Sequence, residues 1–422
     1  MHNTFTAALL PISQLQNGSQ QHRKTPAHHE ANAPSCLPRG TRHFPLFIAT
    51  VATIALVTLA PTAHAQSVTL YGVLDQGLDF TNNAGKGQAW KVQSADLQGE
   101  RWGLTGSEGL GGNLSAVFRL ENGFDSSSGS FQQGGRMFGR QAYVGLSDTR
   151  FGTLTIGRQY DSLVDTVAPL TANGGWGGGP FSHPFDNDNT SNSFRLNNAI
   201  KYASINFNGV SFTGTYALSN QAGGFAENNE YSLGAQYQRG PLTGAIAYLD
   251  ARHPGMTPGG ALPSDNTTFV AQRQRIWGAG INYLIGKANV GLVYTHTSIN
   301  HPSSVAGIGD LGDTTNGLKF DNIELNTQYH FRPDLYAGVM YTFTEGSVAE
   351  NAKRAHPKWH QAGAILDYAL SKRTDIYAQL AYQKVLGDDT GTLFDRADIS
   401  GAADFSSSNT QVFARLGVRH LF

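Results

Sequence analysis

Cysteine is nearly absent: Cys36 is the only one in 422 residues, and it lies ahead of position 65. The chain after that point has none, which excludes disulfides, thiol catalysis and thiolate metal sites there. Charge is also scarce, at 14% of residues against the usual quarter. Long apolar runs are missing too, with one exception, "FPLFIATVATIALVTLAPTAHA" at 44–65. Its apolar core, Leu46 to Ala60, follows Arg39, Arg42 and His43 and ends at Pro61. That is short for a membrane helix and fits the apolar segment of a secretion signal. Ala63-His64-Ala65 supplies an A-x-A cleavage site, so the expected cut falls before Gln66. The competing reading is an N-terminal membrane anchor, which the small residues after Pro61 disfavour. The expected organisation is a polar extension at 1–38, a signal segment at 39–65 and one domain at 66–422. Removing 1–65 leaves 26 basic and 30 acidic residues, a net charge of −4, which gives no support to nucleic-acid binding.

What the chain does have is glycine (50), phenylalanine (23) and tyrosine (16), a composition that suits strands and weakens helices. After position 66 no run of about 18 apolar residues exists, so no helix is expected to cross a membrane. Alternation takes its place. In "SVTLYGVLDQGLDF", Val68, Leu70, Gly72, Leu74 and Leu78 share one face, and Thr69, Tyr71, Asp75 and Asp79 the other. In "DNIELNTQYHF", Ile323, Leu325, Tyr329 and Phe331 oppose Asn322, Glu324, Asn326 and Gln328. Period two is the strand signature. About sixteen such segments run from 67–80 to 410–422, most of them near ten residues, the length of a tilted bilayer-crossing strand.

The connections alternate as well. Short turns such as "SDTRFG", "QRGP", "IGKA" and "HFRPD" separate long loops after Tyr160 and at 251–272, 299–318 and 385–409. Unlike ends and an even strand number predict an all-β fold, a transmembrane antiparallel β-barrel. Such a sheet must close, because lipid cannot satisfy an open edge. A soluble sandwich also alternates. Aromatics near strand ends (Tyr329, Phe331, Tyr368, Tyr382), the very polar second face and the two-sided loop lengths argue against it.

No hydrolytic or redox set is present. Ser and His are scattered in loops, and His183, His253, His301 and His356 are expected to be solvated rather than metal-bound. "GKGQAW" at 85–90 lacks the spacing of a phosphate loop and is expected to be an ordinary loop. No cofactor and no metal site is expected. The basic residues form the constellation of interest: Arg101, Arg119, Arg140, Arg195 and Lys201 fall on the polar parity of their strands and would line one lumen wall. Arg158 instead shares parity with Leu154 and Ile156, and Glu100 sits beside Trp102. Charges facing lipid are costly, so both are expected to face another protomer.

Several stretches resemble the general porins of Gram-negative bacteria, in their betaproteobacterial branch: "QSVTLYGVLDQGL", "RWGLTGSEGLGGNLSAVFRLENGF", "RQAYVGLSDTRFGTLTIGRQYD", "SFRLNNAIKY" and "GVRHLF". The resemblance covers essentially all of 66–422, with one departure at Gly109, where that branch usually has an acid. It implies a trimeric barrel of sixteen strands whose third long loop, about 161–193, folds into the lumen. It also implies that Arg101, Arg140 and Arg195 line the constriction, facing the loop acids Asp161, Asp165, Asp186 and Asp188 in a transverse field. The implied partners are outer-membrane lipid and lipopolysaccharide, the barrel-assembly machinery and small hydrophilic solutes. The terminal Phe422 resembles the signal that this machinery reads. The expected function is passive diffusion of small solutes and ions, with mild anion preference. A barrel enzyme would need Ser, His and a carboxylate together on the outer rim, and the sequence offers no such set. An adhesin or structural barrel would fill its lumen with large side chains, whereas Gly and small polar residues dominate the inward positions.

Overall fold

The computed structural model describes residues 67–312, 315–351 and 353–422. The expected extension and signal segment lie outside them. Sixteen staves make up the wall. The first, β1, is Ser67–Ala84, and β2 runs in two parts, Gly87–Ser94 and Arg101–Gly111. Next come β3 (Leu114–Asp125), β4 (Gln141–Asp148), β5 (Gly152–Gln159), β6 (Leu196–Ala203) and β7 (Val210–Ala217). Then follow β8 (Asn229–Arg239), β9 (Leu242–Arg252), β10 (Phe269–Ile285), β11 (Ala288–Val305) and β12 (Thr315–Arg332). Last are β13 (Leu335–Glu350), β14 (Pro357–Ala369), β15 (Thr374–Gly387) and β16 (Thr410–Leu421). Each pairs antiparallel with its neighbour, and β16 pairs with β1, so the sheet closes.

Period two decides which side chains face out. On β1, Leu70, Leu74 and Leu78 are exposed while Asp75 and Asp79 are buried. On β12, Ile323 and Leu325 are exposed while Asn322 and Glu324 are buried. An apolar outer face around a polar inner one is the pattern that lipid requires.

The wall has unequal height. β4 to β7 have eight residues each, whereas β10 to β12 have 17 or 18. The loop expected at 299–318 is therefore mostly strand, and "GKGQAW" is a tight turn entering β2. Pairing carries these hairpins past their apolar stretch, where alternation no longer marks them.

The seam is built from buried charge. Arg415 of β16 is fully buried and reaches Asp79 of β1 at 2.8 Å, Asp75 at 3.3 Å and Asp96 at 3.1 Å. A Cβ on Gly77 would lie 2.6 Å from its guanidinium, so only glycine leaves room. On the outer side Phe422 exchanges backbone hydrogen bonds with Gly72, and its ring covers that glycine.

Candidate functional site: an arginine-lined cavity

Between the two parts of β2 the chain steps out of the sheet at 95–100. Asp75 holds this step by accepting from Leu97 N (2.8 Å) and Gln98 N (2.7 Å). Glu100 is fully buried in it, accepting from Asp75 N (3.1 Å), Ser126 N (2.6 Å) and Ser126 Oγ (2.5 Å).

The connection from β5 to β6 opens with a five-residue helix, α1 (Ser162–Thr166), whose N-cap is Asp161. It then crosses the polar parity of staves β8 and β11 to β15. Ser162 N donates to Ser232 Oγ, Ala172 N to Glu324 Oε1 (2.7 Å), Thr295 Oγ1 to Asp188 and Asn322 Nδ2 to Asn187 Oδ1. Further along, Gln361 Nε2 donates to Pro180 O and Ser182 O, Gln379 Nε2 to Gly177 O, and Gly179 N to Asp96 O. Glycines on the wall give the segment its bed. A Cβ on Gly338 would lie 2.4 Å from the Trp176 ring, and one on Gly363 would lie 2.6 Å from Phe181.

A cavity of about 700 Å³ lies between this segment and the opposite wall. Arg101, Arg140 and Arg195 line it, as does Arg419 of β16. The facing side is Val164, Pro169, Asn173 and backbone around Gly174, Gly175, Gly178 and Gly179. Arg140 pairs with Glu121 at 2.8 Å and donates to Tyr160 Oη at 3.0 Å. Arg419 pairs with Asp375 at 2.8 Å. Arg101 and Arg195 have no carboxylate partner among the described residues, and the Nε of each is without a hydrogen-bond acceptor. A second cavity of about 570 Å³ shares Gln132, Gln133, Ser193 and Arg195 with the first, and is lined by Asp186, Asp265 and Asp398. Burial, with Asp404 nearby, pushes the Asp398 carboxyl up to about 7.

Two of the five predicted basic residues lie elsewhere. Arg119 sits over the Tyr71 ring at 5.8 Å, and Lys201 is engaged by Asp165 and by Tyr160 O. Arg419, which the sequence reading missed, alternates with outward Leu416 and Val418, so its parity alone could have found it.

The loop acids depart further from expectation. None of the four lines the arginine cavity. Asp161 accepts from Leu163 N, Val164 N and Asn189 Nδ2, and Asp186 from Ser191 N and Ser193 N. Asp165 is spent on Lys201. Asp188 meets His183 Nδ1 at 2.6 Å and accepts from Thr190 and Thr295. A loop has no parity to aim a side chain, and buried carboxylates turn to whatever donors are nearest. Burial pushes Asp161 and Asp186 up to about 6, with Asp188 adding to the effect on Asp186.

His183 is fully buried, not solvated. Its Nε2 lies 3.2 Å from Glu324 of β12, opposite the contact with Asp188. Burial opposes its charge, but the two carboxylates outweigh burial and push its pKa up to about 10.

Arg158 was expected to face outward, and it does not. The register slips between Gly157, at φ 138°, and Gln159, so the count of two fails at that point. Arg158 is buried and donates to Gly139 O (2.7 Å), Asn266 Oδ1 (2.9 Å) and Asn197 Oδ1. Arg158 and Glu100 thus find their partners within their own chain, which removes the lipid-facing charge that pointed to a second protomer.

The Gram-negative porin family model matches residues 52–388. An outer membrane porin protein of Bordetella pertussis is 27% identical over 79% of this chain and 93% of its own length. Among solved structures, an anion-selective porin from Comamonas acidovorans superposes with TM-score 0.66 at 22% identity, over 85% of this chain and all of that one. OmpT of Vibrio cholerae in its trimer form gives TM-score 0.59 at 16% identity, over 85% of this chain and all of that one. The closed sixteen-stave barrel and the family match agree, and the chain belongs to the Gram-negative porins, which form channels across the outer membrane.

Proposed function

We propose that residues 161–193 narrow the lumen and that the channel passes small hydrophilic solutes with a preference for anions. One observation carries this reading: four arginines line the cavity, and none of the four loop acids does. Arginine keeps its charge at any working pH, so that side stays positive, and charged side chains at a constriction set selectivity. The neighbour from Comamonas carries anion selectivity in its name. Reversal potential across a salt gradient in a planar bilayer tests the reading. The expected sign is that of anion preference, and strong cation preference would sink it.

The working unit is proposed to be a homotrimer joined along the low side of the wall. Eight residues in β4 to β7 fall short of the roughly 9–11 that a tilted strand needs to cross lipid. A neighbouring protomer rather than lipid would cover them, and one structural neighbour is in trimer form. Cleavage before Gln66, and recognition of Phe422 by the assembly machinery, complete the proposal. N-terminal sequencing of outer-membrane material checks the first, and the surface yield of Phe422→Asp checks the second.

A further inference from the structure

The smaller cavity, of about 570 Å³, is lined mainly from 132–134, 182–195, 265–268 and 398–400, all in connections at the long-loop end. That end faces outward in such barrels. The arginine cavity reaches the other way, to Gln328, Tyr336 and Arg419 near the short turns. The two share Gln132, Gln133, Ser193 and Arg195, so the smaller is an outer antechamber of the larger.

Five titratable side chains line the antechamber, and three of them are already engaged. His183 lies between Asp188 and Glu324, Asp186 accepts from Ser191 N (2.8 Å) and Ser193 N (3.0 Å), and Asp265 pairs with Arg136 at 2.8 Å. Arg195 and Asp398 are the other two. Arg195 is only 6% exposed, and its side chain donates to Ser193 O alone, at 3.3 Å, while its Nε has no acceptor. The Asp398 carboxylate has no ion pair and accepts no hydrogen bond among the described residues. Its backbone, by contrast, is fixed. Asp398 N donates to Gln383 Oε1 of β15 at 2.7 Å, Gln383 Nε2 donates to Asp398 O at 3.3 Å, and Ile399 N donates to Gln411 Oε1 of β16 at 2.8 Å. Ala397 and Ile399 on either side are buried. Two staves thus hold this carboxylate in position before any solute arrives, which lowers the cost of binding one. The cavity therefore offers one unpaired cation and one unpaired carboxylate, and no ion pair joins them.

We propose that the antechamber binds a small zwitterion, with an ammonium and a carboxylate on one short frame, as in an amino acid. The carboxylate would take the Arg195 fork, whose paired donors match it, and the ammonium would take Asp398. A solute with a single charge satisfies one end and leaves the other uncompensated. A zwitterion satisfies both, and its second contact is intramolecular once the first is made. The volume is that of a small-molecule site. The assignment rests on the reading of 161–193 as the segment that narrows the lumen. It does not rest on anion preference: a zwitterion has no net charge, so reversal potential judges that preference and zwitterion block judges this site.

Block of the ion current through the full protein in planar bilayers tests it, at pH 8, above the value of about 7 to which burial pushes the Asp398 carboxyl. The probes are glycine, 4-aminobutyrate and 6-aminohexanoate, each set against the plain carboxylate and the plain amine of the same chain length. Block by at least one zwitterion should saturate, with half-block at a concentration about tenfold or more below that of its two singly charged counterparts. D398N should raise that concentration by about tenfold or more, in a barrel whose resistance to heat in detergent shows that it is folded. D265N removes one charge from the same cavity and should raise it by less than about twofold, because that carboxylate is exposed and already paired. Zwitterion block no stronger than that of the singly charged solutes would overturn the proposal, as would undiminished block in D398N or an equal loss in D265N.

Discussion

The two sides of the arginine cavity carry similar amounts of charge and present it in opposite ways. On the wall, Arg101 and Arg195 line the cavity and form no ion pair with a carboxylate among the described residues. On the segment across from them, Asp161, Asp165, Asp186 and Asp188 are all consumed by caps, turns and buried pairs. The difference lies in what aims each side chain. A strand aims by alternation, whatever the residue costs in that place. A loop inside a protein folds its charges back onto itself, because an unpaired buried carboxylate costs more than any field it could project. Charge counted along a sequence is thus not charge shown to a solute.

Stripping the wall should have the largest effect. In R101S/R140S/R195S the ratio of anion to cation permeability should fall by about tenfold or more, since one charge at about 4 Å is worth roughly 1–4 kcal/mol. Reversal potentials and single-channel conductance measure this, and conductance should rise as three long side chains leave.

Undocking the other side comes next. His183→Ala leaves Asp188 and Glu324 buried without their common cation, a change of the kind that costs about 3–5 kcal/mol. Open-channel noise should rise sharply while the barrel survives heating in detergent. The same loss should occur with pH in the unaltered protein. A histidine whose pKa is raised to about 10 contributes in full below its ordinary value near 6.5, and that contribution disappears as pH climbs through 10. Noise should therefore grow between roughly pH 8 and 11. A flat profile would mean that His183 does not fasten the segment.

Filling the bed is a milder change. Gly338→Leu should push Trp176 off the wall at an overpacking cost of about 1–3 kcal/mol, with conductance altered and selectivity kept. The smallest effect is expected from Asp186→Asn. Asp186 is spent on Ser191 N and Ser193 N, so the permeability ratio should move by less than about twofold, in line with weak screened contacts. A shift as large as that of the arginine variant would show that the loop acids do act on solutes.

The staves were legible because lipid imposes a strict code: every second residue apolar, and no open edge. Leu70, Leu74 and Leu78 against Asp75 and Asp79 is enough to orient β1, and the same count places Arg101 and Arg419 inward. The code fails where the backbone breaks step. Gly157 makes a bulge, and Arg158 turns from the lipid side to a buried cluster under Asn266. It also says nothing about loops. His183 beside Pro184 looks like a solvated turn residue, and its partner Glu324 lies 141 positions away. Distant partners of that kind leave no local pattern.

Arg415 has a consequence for how the ring comes into being. Its bond to Asp75 joins positions 340 apart. Closing a chain loop of that length costs roughly 5 kcal/mol of conformational entropy beyond a constant, and nothing local repays it early. Until β16 reaches β1, one arginine and three carboxylates must stay hydrated and apart, and neither terminal stave has a finished edge. A nearly complete barrel therefore gains little over an open one. Closure is a threshold event, and the residues that hold it together decide how slowly the finished channel comes apart.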